Sequence, residues 1–167
     1  MIIIALMLIA LMLAVFWFDA SRFIIPNWLV LCVLALYPIY LLLSPVPIDW
    51  IGALGVAVIA FAVGIALFAG NIMGGGDVKL LTACCLWVGM HPILEYIIHT
   101  TLIGGVLSIA LLAGRPVAGY LWLKIIKSDT MPRLLEKGAP IPYGLAIAGG
   151  MLILIAQNKL TGMTLPI

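Results

Sequence analysis

Long apolar runs separated by short polar interruptions make up nearly the whole chain. The first, Ile2 to Phe18, carries no charge and sits at the lower end of the roughly 17 to 25 residues that a spanning helix needs. No Lys or Arg precedes it, and it stops at Asp19, Ser21 and Arg22. A secretory signal would show basic residues first and a small-residue cleavage site afterwards, so the run is read as a retained transmembrane helix. The connector Asp19 to Asn27 ends in Pro26 and Asn27, which suit a helix start. A second span is expected from Trp28 to Leu43, with Trp28 and Tyr40 as interface anchors. Ser44 to Asp49 reads as a proline-stiffened turn. The third span, Trp50 to Ala69, contains Gly52, Gly55 and Gly64. Small residues let helix backbones approach closely in lipid, so this helix is expected inside a bundle.

Asn71 to Leu80 interrupts the pattern with Gly74-Gly75-Gly76-Asp77. The run after it, Val78 to Met90, is short for a span unless Gly76 and Asp77 belong to its first turn. His91-Pro92 marks a turn, and a fifth span is expected from Ile93 to Ala113, ended by Gly114-Arg115-Pro116. Residues 115–140 form the one extended polar stretch, read as a loop. Within it, Val117 to Lys127 is expected to form a separate interfacial helix with Lys124 and Lys127 near the headgroups. A sixth span occupies Ile141 to Ala156. The pattern predicts an all-α polytopic membrane protein of six transmembrane helices, in a single domain over residues 1–167.

Composition supports that class: 66% of the residues are hydrophobic, 8% are charged, and the mean hydropathy is +1.34. So few polar residues leave no room for a soluble domain, and a net charge of +2 gives no reason to expect nucleic acid. Cys32, Cys84 and Cys85 all lie in apolar runs, where they read as packing residues rather than disulfide or metal-binding thiols. Charge sets the orientation. Seven of the eight Lys and Arg fall in odd-numbered connectors, with Lys159 alone on the other side. The positive-inside rule therefore predicts both termini outside and the odd-numbered connectors in the cytoplasm.

That topology brings Asp19 and Asp77 to one membrane face, while Asp49 and Glu95 fall on the other and read as turn or interface residues. Ionisable groups in or beside a bilayer are costly and point to function. Each Asp could instead be a helix-end cap. As a pair they could form an aspartyl dyad. One carboxylate draws a proton from water while the other, protonated, donates to a substrate carbonyl. The three glycines are expected to permit unusual torsions and close approach beside Asp77.

These residues carry a resemblance. Gly74-Gly75-Gly76-Asp77-Val78-Lys79, with Asp19 ahead of Ile25-Pro26-Asn27 and with Ile141-Pro142-Tyr143-Gly144 opening the last span, resembles the type IV prepilin peptidase family over essentially the whole chain. The resemblance implies a membrane aspartyl endopeptidase with its GxGD hinge and active site at the cytoplasmic face of the cytoplasmic (inner) membrane. Such an enzyme cuts the basic leader from a prepilin, ahead of the hydrophobic helix. It implies Asp19 and Asp77 as the catalytic pair, Gly74 and Gly76 as shaping the turn, and Lys79, Arg22, Pro26, Asn27, Pro142, Tyr143 and Gly144 as motif or support residues.

Neither a metal nor an organic cofactor is implied. The partners implied are the prepilin and membrane lipid, with pilus assembly machinery beyond them. Larger members carry a cysteine-motif domain between the first two spans and also methylate the new N-terminus. This chain has only a short connector there, so it resembles the small members without methyltransferase that serve tight-adherence (Flp-type) pili. Two other classes remain on sequence grounds. One is a proton- or ion-coupled transporter, whose sites usually lie near the bilayer midplane. The other is a noncatalytic scaffold of a pilus or secretion machine, which would tolerate loss of either Asp.

Overall fold

The computed structural model describes residues 1–125 and 139–163. Among them are six helices: α1 (Ile2–Arg22), α2 (Asn27–Leu43), α3 (Trp50–Ala69), α4 (Gly75–Val88), α5 (Ile93–Ile125) and α6 (Tyr143–Ala156). Three segments, Ile2–Arg22, Trp50–Ala69 and Ile93–Tyr120, are long and apolar enough to cross a membrane. The other helices are shorter, with 17 residues in α2 and 14 each in α4 and α6.

The two shortest helices form the centre. α6 packs against α1, α4 and α5, while α4 packs against α2, α3, α6 and, sparsely, α5. Leu80, Ala83 and Cys84 on α4 and Ala148, Met151 and Leu154 on α6 are fully buried. Cys84 and Cys85 thus serve as apolar packing residues, as their sequence setting suggests.

α3 departs from expectation. It rests on α4 rather than inside the bundle, and it buries only Ala53, Val56, Ala57 and Gly64. Its small residues bring one neighbour close instead of surrounding the helix with several. A Cβ on Gly64 would lie 2.6 Å from Val78 Cγ1. Val58, Ile59, Phe61 and Val63 stay exposed, as suits a lipid-facing surface.

Helix ends follow local chemistry. Asp49 caps α3 by accepting the Gly52 N–H at 2.9 Å. α3 closes with Asn71 in the left-handed region, φ 55°. The Ile72 N–H bonds back to the Leu67 carbonyl and the Asn71 N–H to the Phe68 carbonyl, each at 2.9 Å, which completes a Schellman motif. α4 starts at Gly75, so Gly76 and Asp77 do belong to its first turn.

The expected break at Gly114-Arg115-Pro116 does not occur. α5 runs through Pro116 to Ile125, so the stretch after it is a continuation of α5 rather than a separate helix. Proline removes one backbone donor and crowds one turn, a cost that an otherwise continuous apolar helix can absorb. Lys124 sits over the Tyr120 ring at 5.7 Å. Lys127, Arg133 and Lys137 fall outside the described residues.

At the far end, the segment after α6 folds back. Tyr40 donates its hydroxyl to the Thr161 carbonyl, and Leu160 and Met163 are buried. Lys159 pairs with Glu95 at 3.1 Å on the surface, a contact that contributes little to stability.

Candidate active site

Asp77 is the third residue of α4, whose N-cap is Gly74. Glycine offers no side chain to hold the free amides of a helix start, and Asp77 compensates by hydrogen bonding back to the Gly74 backbone. That is the acidic half of a capping box, favoured further by the helix dipole. The glycines do not supply unusual torsions as expected, since Gly74 has φ −71° and ψ 147°. What they supply is room. A Cβ would lie 2.9 Å from Asp77 Oδ2 if placed on Gly74, and 3.4 Å from Ile25 Cβ if placed on Gly76.

Asp19 has the opposite problem. It stands in the last turn of α1, where the free backbone groups are carbonyls, and it is buried with 4% of its surface exposed. Its donors come from another helix. The Leu145 N–H bonds to Asp19 Oδ2 at 3.1 Å, and the Gly144 backbone also contributes. Those amides open α6, whose N-cap Pro142 makes no side-chain cap. Asp19 therefore caps α6 from the far end of the sequence. Gly144 has to be glycine for this, because its Cβ would lie 2.7 Å from Asp19 Oδ2 and 2.8 Å from Ile25 Cδ1.

Both carboxylates line one cleft of about 1190 Å³. Asp77 stands ahead of the apolar part of α4 and outside the three candidate spans. Its carboxyl is pushed up to about 6, first by burial and then by the charge of Asp19, with the Gly74 hydrogen bond opposing. Two carboxyls that feel each other's charge in a partly dry cleft are costly to ionise together.

Among the motif residues, Pro26, Asn27, Lys79, Pro142 and Tyr143 also line the cleft. Lys79 Nζ donates to Asn27 Oδ1 at 3.1 Å, tying the start of α4 to the start of α2. Arg22 is not brought in: its guanidinium lies 5.1 Å from the centre of the Phe18 ring on its own helix, and it does not line the cleft.

Two contributors escaped the sequence reading. Ile25 was visible only as part of Ile25-Pro26-Asn27, yet it packs between the starts of α4 and α6. Arg115 was counted only as a charge that sets topology. It is 6% exposed and donates from Nη1 to the Ala139 carbonyl at 2.7 Å and from Nη2 to the Pro140 carbonyl at 3.0 Å. It thereby holds the strand of chain that leads into Pro142 and the start of α6. The available signal was its position, an arginine between glycine and proline at the end of an apolar run.

No curated protein and no solved structure matches the chain significantly. The sequence model of the type IV leader peptidase family matches residues 6–109, well over half of the chain and inclusive of Asp19, Ile25 to Asn27 and the glycine hinge with Asp77. The chain belongs to the type IV leader peptidase family.

Proposed function

We propose that this protein is an aspartyl endopeptidase that removes the leader from type IV prepilins of the Flp type, at the cytoplasmic face of the cytoplasmic membrane and without methyltransferase activity. One observation carries the reading. Two carboxylates reach a single cleft, each held by the N-terminal amides of a different central helix, Asp77 at α4 and Asp19 at α6.

In the reaction, the dyad with one proton holds a water between its carboxyl groups. The ionised carboxylate removes a proton from that water as its oxygen bonds to the scissile carbonyl carbon. The protonated carboxyl donates to the carbonyl oxygen, giving a neutral tetrahedral gem-diol. Collapse breaks the carbon–nitrogen bond, the leaving nitrogen takes a proton from the dyad, and a hydroxyl proton of the gem-diol returns to it. The products are the leader's carboxyl terminus and a new amino terminus, and the dyad ends with one proton as it began.

The short central helices support a membrane-boundary site. A helix of the length of α4 or α6 rises only about 21 Å, against a hydrocarbon thickness of about 30 Å. Their starts can thus lie recessed below one membrane surface, where water reaches the cleft. With six crossings, both termini outside and basic residues concentrated on the cleft side, that surface is the cytoplasmic one. A lipid-embedded helix has its amides satisfied and resists attack, so a scissile bond is best presented where the substrate emerges from the bilayer. The absence of methyltransferase activity is supported by the link between α1 and α2, which spans only Phe23 to Pro26.

The test is processing of a co-expressed Flp-type prepilin, read as a mobility shift at matched membrane levels. The parent is expected to cut, and Asp19→Asn and Asp77→Asn are each expected to fail. Cutting by either variant at the parent's rate would contradict the two-aspartate reading.

A further inference from the structure

α5 leans on α6 and barely touches α4. The gap this leaves is a second cavity of about 350 Å³ between α4, α5 and α6. It begins where the carboxylate cleft ends, because Met73 and Tyr143 line both. From there it continues along α5 over Ser108, Gly104 and Thr101 to Tyr96, about 18 Å at the helical rise per residue. Thr101 and Gly105 are exposed on its outer side, so the groove is open laterally.

Its chemistry differs from that of the cleft. The cleft carries Asp19, Asp77, Lys79 and Arg115, whereas among the described residues no charged side chain lines the groove. Three of the groove's hydroxyls are already used: Thr101 Oγ1 donates to the Ile97 carbonyl at 2.8 Å, Ser108 Oγ to the Gly104 carbonyl at 2.6 Å and the Tyr96 hydroxyl to the Ile147 carbonyl at 3.2 Å, while the buried Thr100 Oγ1 has no partner among the described residues. Such an uncharged surface of small and apolar residues asks its occupant chiefly for close packing. A transmembrane helix, with its own backbone satisfied, meets that requirement where small residues admit it.

We propose that this groove is the docking site for the apolar helix that follows the scissile bond of the substrate. The inference rests on the peptidase reading above and adds to it where the uncut part of the substrate lies. A chain with its scissile bond at the carboxylates and its next residues entering the bilayer as a helix passes directly from the cleft into the groove at Met73 and Tyr143. The polar leader stays on the charged side of that junction and the apolar helix on the uncharged side.

Gly105 allows a clean test. A Cβ there meets nothing within 4 Å and Gly105 lines the groove, so Gly105→Leu adds bulk at the groove's open side; Gly55 on α3 is equally open and serves as a control. In nanodiscs, two substrates are compared, a full-length prepilin and a peptide that ends a few residues after the scissile bond. Gly105→Leu is expected to raise KM for the full-length substrate roughly tenfold or more, the worth of one well-buried side chain. The short peptide should be cut as by the parent, and Gly55→Leu should change neither. An unchanged KM for the full-length substrate, or an equal loss on both substrates, would overturn the proposal.

A second arm does not depend on cleavage. In an Asp77→Asn, Cys32→Ser background, Gly105→Cys and Gly55→Cys are each tested for crosslinking to a cysteine placed in the prepilin helix. Selective crosslinking at residue 105 is expected, while equal crosslinking at both positions indicates random encounter in the bilayer and overturns the site. Selective crosslinking at residue 105, with a parent that cuts neither substrate, would instead sink the peptidase reading and leave the groove standing.

Discussion

Asp77 and Asp19 reach the same cleft from opposite kinds of helix end, and the two settings are built in opposite ways. Asp77 opens its own helix and takes its hydrogen bond from Gly74, three residues earlier. Asp19 closes its helix, where a carboxylate has no local amides, and borrows the first turn of α6 through Leu145. One setting is local and the other is assembled by the whole fold. The pair is therefore only as well aligned as the contacts that bring α6 to α1, and those contacts are the natural place to test the difference.

Among substitutions that leave both carboxylates in place, the largest effect is expected from adding one methyl group on the assembled side. Gly144→Ala places a Cβ against both Asp19 and Ile25, neither of which is free to move. A displacement near 1 Å in a catalytic group costs roughly 100-fold in rate, and a loss of that size is expected in kcat with little change in KM. Gly74→Ala on the local side meets only the tip of the Asp77 carboxylate, at 2.9 Å, and a smaller loss is expected. Equal losses in steady-state assays of the two variants would break the comparison.

A smaller loss is expected from Arg115→Lys. Lysine keeps the charge but cannot bond the Ala139 and Pro140 carbonyls with a two-pronged fork. Loss of one hydrogen bond to a charged group, about 1.5–3 kcal/mol, should loosen the entry to α6 and lower kcat by about tenfold or more. The melting temperature in detergent is expected to stay near the parent's, which separates this effect from a general loss of fold.

The smallest effect concerns stability and bears on the Asp77 carboxylate. Burial and the charge of Asp19 raise Asp77 from 3.8 to about 6. The folded protein then holds that proton more tightly than the unfolded chain does, so stability falls as pH rises between those two values and the penalty is complete above about 6. Asp77→Asn removes the charge, and a midpoint higher by a few degrees is expected in detergent above that window, with the gain fading below 3.8. A variant that melts like the parent at both ends of the pH range would show that the carboxylate is not held at a cost.

The same contrast explains what could be read from the sequence. Apolar run length predicts α3 to the residue, and the glycine hinge places Asp77 in the first turn of α4, because both depend on neighbours in the chain. Pro142-Tyr143-Gly144 is recognisable as a motif, but its reason, room for the Asp19 carboxylate, depends on a contact across 126 positions. Arg115 was hidden for the same reason, since nothing beside it reveals that its partners are the Ala139 and Pro140 carbonyls. The continuation of α5 through Pro116 and the edge position of α3 were decided by packing between helices, which hydropathy does not record.

The account's central claim is that Asp19 and Asp77 work as one proton-sharing unit. Purified parent, Asp19→Asn, Asp77→Asn and the double variant should be compared for kcat on the same leader peptide. Residues that act as a unit lose most of their effect together, so each single variant should fall by roughly 1,000-fold or more and the double variant should fall little further. If the two losses instead multiply in the double variant, or if one single variant keeps most of its activity, the carboxylates act separately and the account is wrong.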